Sequence, residues 1–151
     1  MRTLPSLSVN RLQLQRLPEW TAARTRNAQH LAEALADCPV VRVPLPPEGI
    51  THAWYKFYAF VKPDALAEGW SRDRILSEIA SLGYPALSGS CSEIYLEKCF
   101  QEAGLAPAER LPLARELGET SLMFLVHPTI TPEQMAAYAD AVRSVVEHAC
   151  R

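Results

Sequence analysis

Aromatic residues crowd most densely along His52-Ala53-Trp54-Tyr55-Lys56-Phe57-Tyr58-Ala59-Phe60-Val61, and neither Gly nor Pro interrupts the run. Aromatic and β-branched side chains suit a pleated surface, so this stretch predicts a strand. Alternation sets Trp54, Lys56, Tyr58 and Phe60 on one face and Tyr55, Phe57, Ala59 and Val61 on the other. Both faces are mostly apolar, which predicts an interior strand covered on both sides. Lys56 is the exception, and it snorkels or sits near a strand end. Pro63 closes the run. A second strong strand is predicted over residues 121–126, Ser-Leu-Met-Phe-Leu-Val, and shorter ones over residues 40–45 and 84–88. Pro46-Pro47-Glu48-Gly49 ends the first of these shorter strands.

Helical spacing takes over elsewhere. Residues 1–10 show no period and read as a leader; residues 11–38 predict a long helix. Leu12, Leu17, Trp20, Leu31 and Leu35 share one face, with Arg16, Arg24, Arg26 and Glu33 outside it. Pro18 kinks this helix or opens a second one. The helix either bridges two domains or lies on the surface. Ser71 caps a helix over residues 72–82, with Ile75, Ile79 and Leu82 inward, a Trp70–Ile75 staple, and Gly83 as its left-handed stop. Ser90 or Ser92 caps a brief helix over residues 94–100, and another runs from Pro112 to a stop at Gly118. The last helix has the fullest signals. Thr131 is its cap, Pro132 its first residue and Gln134 its capping-box partner, with Ile130 and Met135 as staple. Met135, Tyr138, Val142, Val145 and Ala149 recur at helical spacing on its inner face. The order predicts an α+β, two-layer domain: a small, mostly antiparallel sheet with helices on one face.

Composition narrows the function classes. At 151 residues, 48% hydrophobic and 21% charged, the chain suits one soluble globular domain. A net charge of −2 argues against nucleic acid or an anionic membrane as main partner. Residues 1–10 lack the apolar run of a signal peptide, and no stretch reaches the roughly 18 apolar residues of a membrane span. Cys38, Cys91, Cys99 and Cys150 form no Cys-x-x-Cys and no zinc spacing with His30, His52, His127 or His148. Free thiols in a reducing cytoplasm are therefore expected.

The sequence contains no dinucleotide fingerprint, Walker loop, zinc-protease helix or nucleophile elbow. Ser88-Gly89-Ser90-Cys91-Ser92 has ligand-binding character, because small residues before a helix expose backbone N–H groups to an anion; an ordinary capped turn uses the same residues. Cys91 in that loop is a candidate nucleophile without an evident base. His127, at a strand end, can contact a ligand or exchange a proton, or simply be hydrogen-bonded in its turn. His52 stands in a similar position before the aromatic strand, while His30 and His148 read as surface residues. Tyr84 and Tyr95 are phosphate donors or packing residues.

Four blocks in one order carry a resemblance. They are Arg11-Leu-Gln-Leu-Gln-Arg-Leu-Pro-Glu-Trp20, Trp54-Tyr-Lys-Phe-Tyr58, Ser88-Gly-Ser-Cys-Ser-Glu-Ile-Tyr-Leu-Glu-Lys98 and Glu116-Leu-Gly-Glu-Thr-Ser-Leu-Met-Phe-Leu-Val-His-Pro-Thr129. Together they resemble the C-terminal part of the DegT/DnrJ/StrS sugar aminotransferases, over residues 11–149. The resemblance implies pyridoxal-phosphate (PLP) enzymes of the aspartate-aminotransferase fold type. In these a large N-terminal domain holds the cofactor, and a small α+β domain closes over it in a homodimer. The reaction it implies is amino transfer, with glutamate the usual donor and a keto-sugar nucleotide the acceptor. It places Arg2 (in Met1-Arg2-Thr3, similar to an Arg-Met-Thr/Ser segment of the family), Ser88, Gly89, Ser90, Ser92 and His127 at the cleft, touching substrate or partner subunit.

The family's Schiff-base lysine, pyridine-pairing Asp and phosphate cup belong to its large domain. Lys56, Lys62 and Lys98 stand in other surroundings. The expectation is thus a leader over residues 1–10 and an aminotransferase small domain over residues 11–151. It is a fragment inactive alone, with no cofactor bound to it by itself. Its partners are the missing large domain or a second subunit, as a homo-oligomer. The competing expectation is a non-catalytic metabolite-binding or dimerisation module.

Overall fold

The computed structural model describes residues 5–89 and 91–151, with side chains from residue 11 onward. Helix α1 (Pro5–Leu35) leads into β1 (Val41–Arg42), β2 (Phe57–Val61), α2 (Arg72–Ser81) and β3 (Ala86–Leu87). Then follow α3 (Lys98–Glu102), α4 (Pro112–Thr120), β4 (Ser121–Phe124) and α5 (Pro132–His148), with short 3-10 turns at Pro63–Ala65 and Ile94–Leu96.

The sheet is antiparallel throughout, in the order β1-β2-β4-β3. β2 is interior, as its two-sided apolar pattern predicts. Phe57 lies opposite Phe124, Ala59 opposite Leu122 and Phe60 opposite Ser121. Phe57, Ala59, Val61, Leu122 and Phe124 therefore share the core face, and all are buried. Their cover comes from Ala28, Leu31 and Leu35 of α1, Ile75 and Ile79 of α2, and Met135, Tyr138, Val142 and Val146 of α5. The outer face is covered only in part. Tyr58 and Phe60 are half-buried there, and the Arg42 guanidinium stands 4.7 Å from the centre of the Phe60 ring. The expected two-layer α+β architecture is the one observed.

Element ends depart from the periodicity for identifiable reasons. β2 begins only at Phe57, because Trp54 sits at φ +48 and residues 55–56 bend, leaving Tyr55 exposed. Helix α1 opens at Pro5, inside the stretch read as a leader, and stops at Leu35 rather than Cys38. It runs through Pro18 as one helix. Its shared apolar face is buried only in the second half: Leu31 is 0% exposed, whereas Leu12 and Leu17 are 57% and 47% exposed. The first half of α1 thus projects beyond the core. Leu82, expected inward, is also exposed, because α2 ends at Ser81 and Gly83 takes φ +86.

Other caps behave as predicted or fail locally. The Ser71 hydroxyl accepts from Arg74 N at 3.1 Å. The Thr131–Gln134 capping box is complete, with bonds of 3.0 and 3.3 Å. Residues 94–100 form a 3-10 turn and the start of α3, not one helix, and the cap residues Glu93 and Glu97 make no side-chain cap bond. Gly118 lies inside α4, which continues to Thr120; its Cα approaches Ser92 so closely that an added Cβ would stand 2.5 Å from the Ser92 hydroxyl.

Candidate functional site

Of the residues expected at a cleft, Ser88, Gly89 and Ser92 lie toward one end of β4 and His127 at the other. β3 pairs Leu87 with Met123, so residues 88 and 89 continue beside the start of β4. Gly89 N donates to the Ser121 hydroxyl at 3.0 Å. A Cβ on Gly89 would come within 2.5 Å of that hydroxyl and 3.2 Å of the Tyr58 ring, so a hydrogen is what fits there. His127 instead follows the far end of β4. Arg2 and Ser90 lie outside the described residues.

Ser88, Gly89 and Ser92 line an open cavity of about 390 Å³ together with Arg72, Cys91, Glu93, Glu97 and Glu119. Arg72, at the first turn of α2, donates through Nη1 to the carbonyls of Gly118 and Ser121, both at 3.1 Å, and through Nε to Asp73 at 2.6 Å. It fastens the end of α4 to the start of β4. No spacing in the sequence links residue 72 to residue 118, and Arg72 was not singled out there.

Carboxylates outnumber cations around this cavity. Glu93 is held by the Arg110 guanidinium, with Nε to Oε1 at 2.8 Å and a second bond from Nη2 to Oε2. The Tyr95 hydroxyl donates to Glu93 at 2.7 Å and accepts from Leu111 N at 2.9 Å. Arg110 first, and Tyr95 second, pull the Glu93 carboxyl down to about 2. Tyr95 is thereby engaged in the protein. Tyr84 is too, stacked on Tyr138 at 5.3 Å. Cys91 is exposed with Sγ 3.5 Å from Glu97 Oε1. Desolvation and that carboxylate push its thiol above the ordinary value, the opposite of an activated nucleophile.

At the other end, His127 is exposed. Its Nδ1 lies 2.8 Å from the Thr129 hydroxyl and 3.4 Å from Thr129 N. Its backbone carbonyl accepts from Asn27 Nδ2 at 3.0 Å, and Asn27 is one of few buried polar side chains. His52 mirrors this turn: its Nδ1 accepts from Trp54 N at 3.1 Å, and its ring meets Trp54 edge-on at 4.4 Å. A mostly apolar cleft of about 440 Å³ opens there between α1 and residues 45–54, lined by Gln29, Glu33, Ile50, His52 and Trp54 among others. Sequence reasoning missed this cleft, which brings residues 25–33 of α1 against residues 45–54, Trp54 with its φ of +48 among them. Among the described residues no cluster of His, Cys, Asp and Glu can hold a metal ion, and no helix is long and apolar enough to cross a membrane.

A model of the DegT/DnrJ/EryC1/StrS aminotransferase family matches residues 6–143. This chain belongs to that family. It is similar to the aminotransferase from Psychrobacter cryohalolentis, with 48% identity and a TM-score of 0.87 over 92% of this chain and 37% of that one. It is also similar to DesV of S. venezuelae, solved in complex with a ketimine intermediate, at 25% identity and TM-score 0.79, over 92% of this chain and 35% of that one. Among curated proteins it matches the erythromycin biosynthesis sensory transduction protein EryC1 of Saccharopolyspora erythraea, 25% identical over 83% of this chain and 32% of that protein. The chain therefore spans about a third of the length of these relatives. Other family-fold structures hold the cofactor in PMP or PLP form.

The described residues do not fit PLP. A Schiff base needs a lysine inside a cavity with an anion cradle beside it. Lys62 is exposed, Lys98 is paired with Glu102 at 3.5 Å on the surface, and the Lys56 ammonium lies over the Tyr55 ring at 5.5 Å. None of the three lines either cleft described above.

Proposed function

We propose that this aminotransferase-family chain is the small domain of a PLP-dependent sugar aminotransferase, acting on a keto-sugar nucleotide with glutamate as amino donor. The Schiff-base lysine and phosphate cup are then supplied from outside these 151 residues, and the chain by itself transfers no amine. One pairing of observations carries this: a fold matched at TM-score 0.87 to an aminotransferase, and three lysines of which none lines either cleft described above. Ser88, Gly89, Ser90, Ser92, His127 and Arg2 would face the substrate or the partner subunit. The domain assignment over residues 11–151, a homo-oligomeric state and a cytoplasmic place follow from the same reading.

Exposed apolar side chains support a docked role. The projecting half of α1 presents Leu12, Leu14 and Leu17, and α4 presents Leu113 and Leu117. Surfaces of this kind are costly to leave in water and suit an interface. The test is a chimera in which this chain replaces the matching third of the Psychrobacter cryohalolentis aminotransferase. Amine transfer from glutamate to a keto-sugar nucleotide, at a rate well above that of the relative's remaining two-thirds alone, is expected. A chimera that folds and binds PLP yet transfers nothing overturns the proposal.

A further inference from the structure

Gly89 and Ser92 both line the cavity of about 390 Å³, and both rest directly on the junction of α4 and β4. Gly89 N donates to the Ser121 hydroxyl at 3.0 Å. Ser121 is 4% exposed, so this hydroxyl is withdrawn from water and the bond it accepts is fixed in place. A Cβ on Gly89 would stand 2.5 Å from the same oxygen, and one on Gly118 would stand 2.5 Å from the Ser92 hydroxyl. At both points the backbone comes as close as a hydrogen allows.

One cation holds the two residues they rest on. α4 passes into β4 without a loop, Thr120 to Ser121. Arg72 Nη1 bridges the Gly118 and Ser121 carbonyls across that junction, at 3.1 Å each. Its Nε is fixed in turn by Asp73 at 2.6 Å, and the side chain is 17% exposed. Charge-assisted bonds from one planar guanidinium keep the two carbonyls at a set spacing. Gly118 carries Ser92 and Ser121 carries Gly89, so Arg72 sets the position of both.

The wall built this way suits neutral hydroxyl groups. Arg72 is engaged by Asp73 and two carbonyls, and Gly89 N by Ser121. Glu93 and Glu119 are paired with Arg110 and Arg115, while Glu97 meets the Cys91 thiol. A serine hydroxyl donates and accepts, and a carboxylate accepts only. Such a surface disfavours a further carboxylate and matches the hydroxyls of a sugar.

We propose that Ser121 and Arg72 are positioning residues for the acceptor substrate: through Gly89 and Ser92 they place the wall that holds its sugar hydroxyls, and they do not act on the amino donor. The inference deepens the reading of Ser88, Gly89 and Ser92 as substrate-facing and rests on it. Serine hydroxyls and a glycine backbone bind without moving a proton at the reacting carbon. Their contribution is therefore uniform binding, felt in KM rather than in kcat.

The test uses the chimera described above, which carries the whole chain, with keto-sugar nucleotide and glutamate varied separately. Ser121→Ala keeps the strand and removes the acceptor of Gly89 N. It is expected to raise KM for the keto-sugar nucleotide about five- to tenfold, with kcat and KM for glutamate within about twofold of the parent. Arg72→Met should shift the same constant. The double variant should lie near the worse single one, because both act through the same two residues; additive effects would remove that shared route. Leu31→Ala weakens the core away from this corner and should leave both KM values alone. An equal rise there would make the effect one of stability and remove the positioning role. Hydrogen exchange on the whole chain gives a second readout: the Gly89 amide should be protected, and Ser121→Ala should expose it. An unprotected Gly89 amide in the unsubstituted chain overturns the inference. So does an active chimera whose Ser121→Ala variant keeps its KM, or raises KM for both substrates equally. Those failures leave the aminotransferase reading standing, whereas a chimera that folds, binds PLP and transfers nothing overturns that reading and this inference with it.

Discussion

Leu17 and Leu31 stand on the same face of α1, fourteen residues or about four turns apart, yet the structure assigns them opposite energetics. Leu31 is 0% exposed against the sheet and α5, while Leu17 is 47% exposed on the projecting half. Truncating a fully buried leucine removes its transfer free energy and leaves a cavity, together about 2–5 kcal/mol. Leu31→Ala should therefore cost about 3 kcal/mol, or roughly 6–12 °C in Tm for a domain of this size. Leu17→Ala loses little burial and gains slightly in helix propensity, so it should stay within about 0.5 kcal/mol. Urea and thermal unfolding of both variants in dilute solution, followed by circular dichroism, read the difference directly. Equal losses, or a larger loss for Leu17→Ala, would refute a first half of α1 that projects beyond the core.

Thr131→Ala removes the hydroxyl that accepts from Gln134 N and breaks the capping box, so unfolding should cost about 1 kcal/mol less by denaturant titration. Gly89→Ala drives a Cβ to 2.5 Å from the Ser121 hydroxyl, and a loss of about 1–3 kcal/mol is expected in the same assay. The Glu93 carboxyl is held at about 2 against an ordinary value of 4.5, lower folded than unfolded. Its contribution is present above about 4.5 and disappears as pH falls toward 2; a carboxyl-carbon NMR titration should show this depression, and Arg110→Ala should raise the midpoint. Exposed Cys91 and Cys99 should react with a thiol reagent in the native chain, whereas buried Cys38 reacts only on unfolding.

Local rules reached far into this fold. The α5 signals from Thr131 to Ala149 describe a helix that exists as read, because its cap, first residue and buried stripe are all encoded within one segment. β2 and β4 were legible for the same reason, and four short blocks pointed to the family whose model spans residues 6–143. What escaped was set by contacts between distant segments. Asn27 finds the His127 carbonyl across a hundred residues, and Arg72 finds Gly118, with no periodic signal at either position. The left-handed Trp54 stands just before the shortened β2 and lines the α1 cleft, although a tryptophan gives no local reason for that conformation. Leu12 and Leu17 continue the stripe of Leu31 and Leu35, and periodicity alone cannot say where along α1 the core stops. The loop at residues 88–92 read as a small-residue turn before a helix and His127 as a strand-end histidine, and only the β3–β4 pairing sets them at opposite ends of one strand.

The central claim, that amine chemistry in this family-fold chain depends on a lysine from elsewhere, is met most directly by PLP itself. The purified chain is mixed with one equivalent of PLP, reduced with borohydride and digested, and each lysine peptide is weighed. Trace labelling spread over Lys56, Lys62 and Lys98, with no Schiff-base absorbance before reduction, is the expected result. Stoichiometric pyridoxyl label on one of those lysines would contradict it.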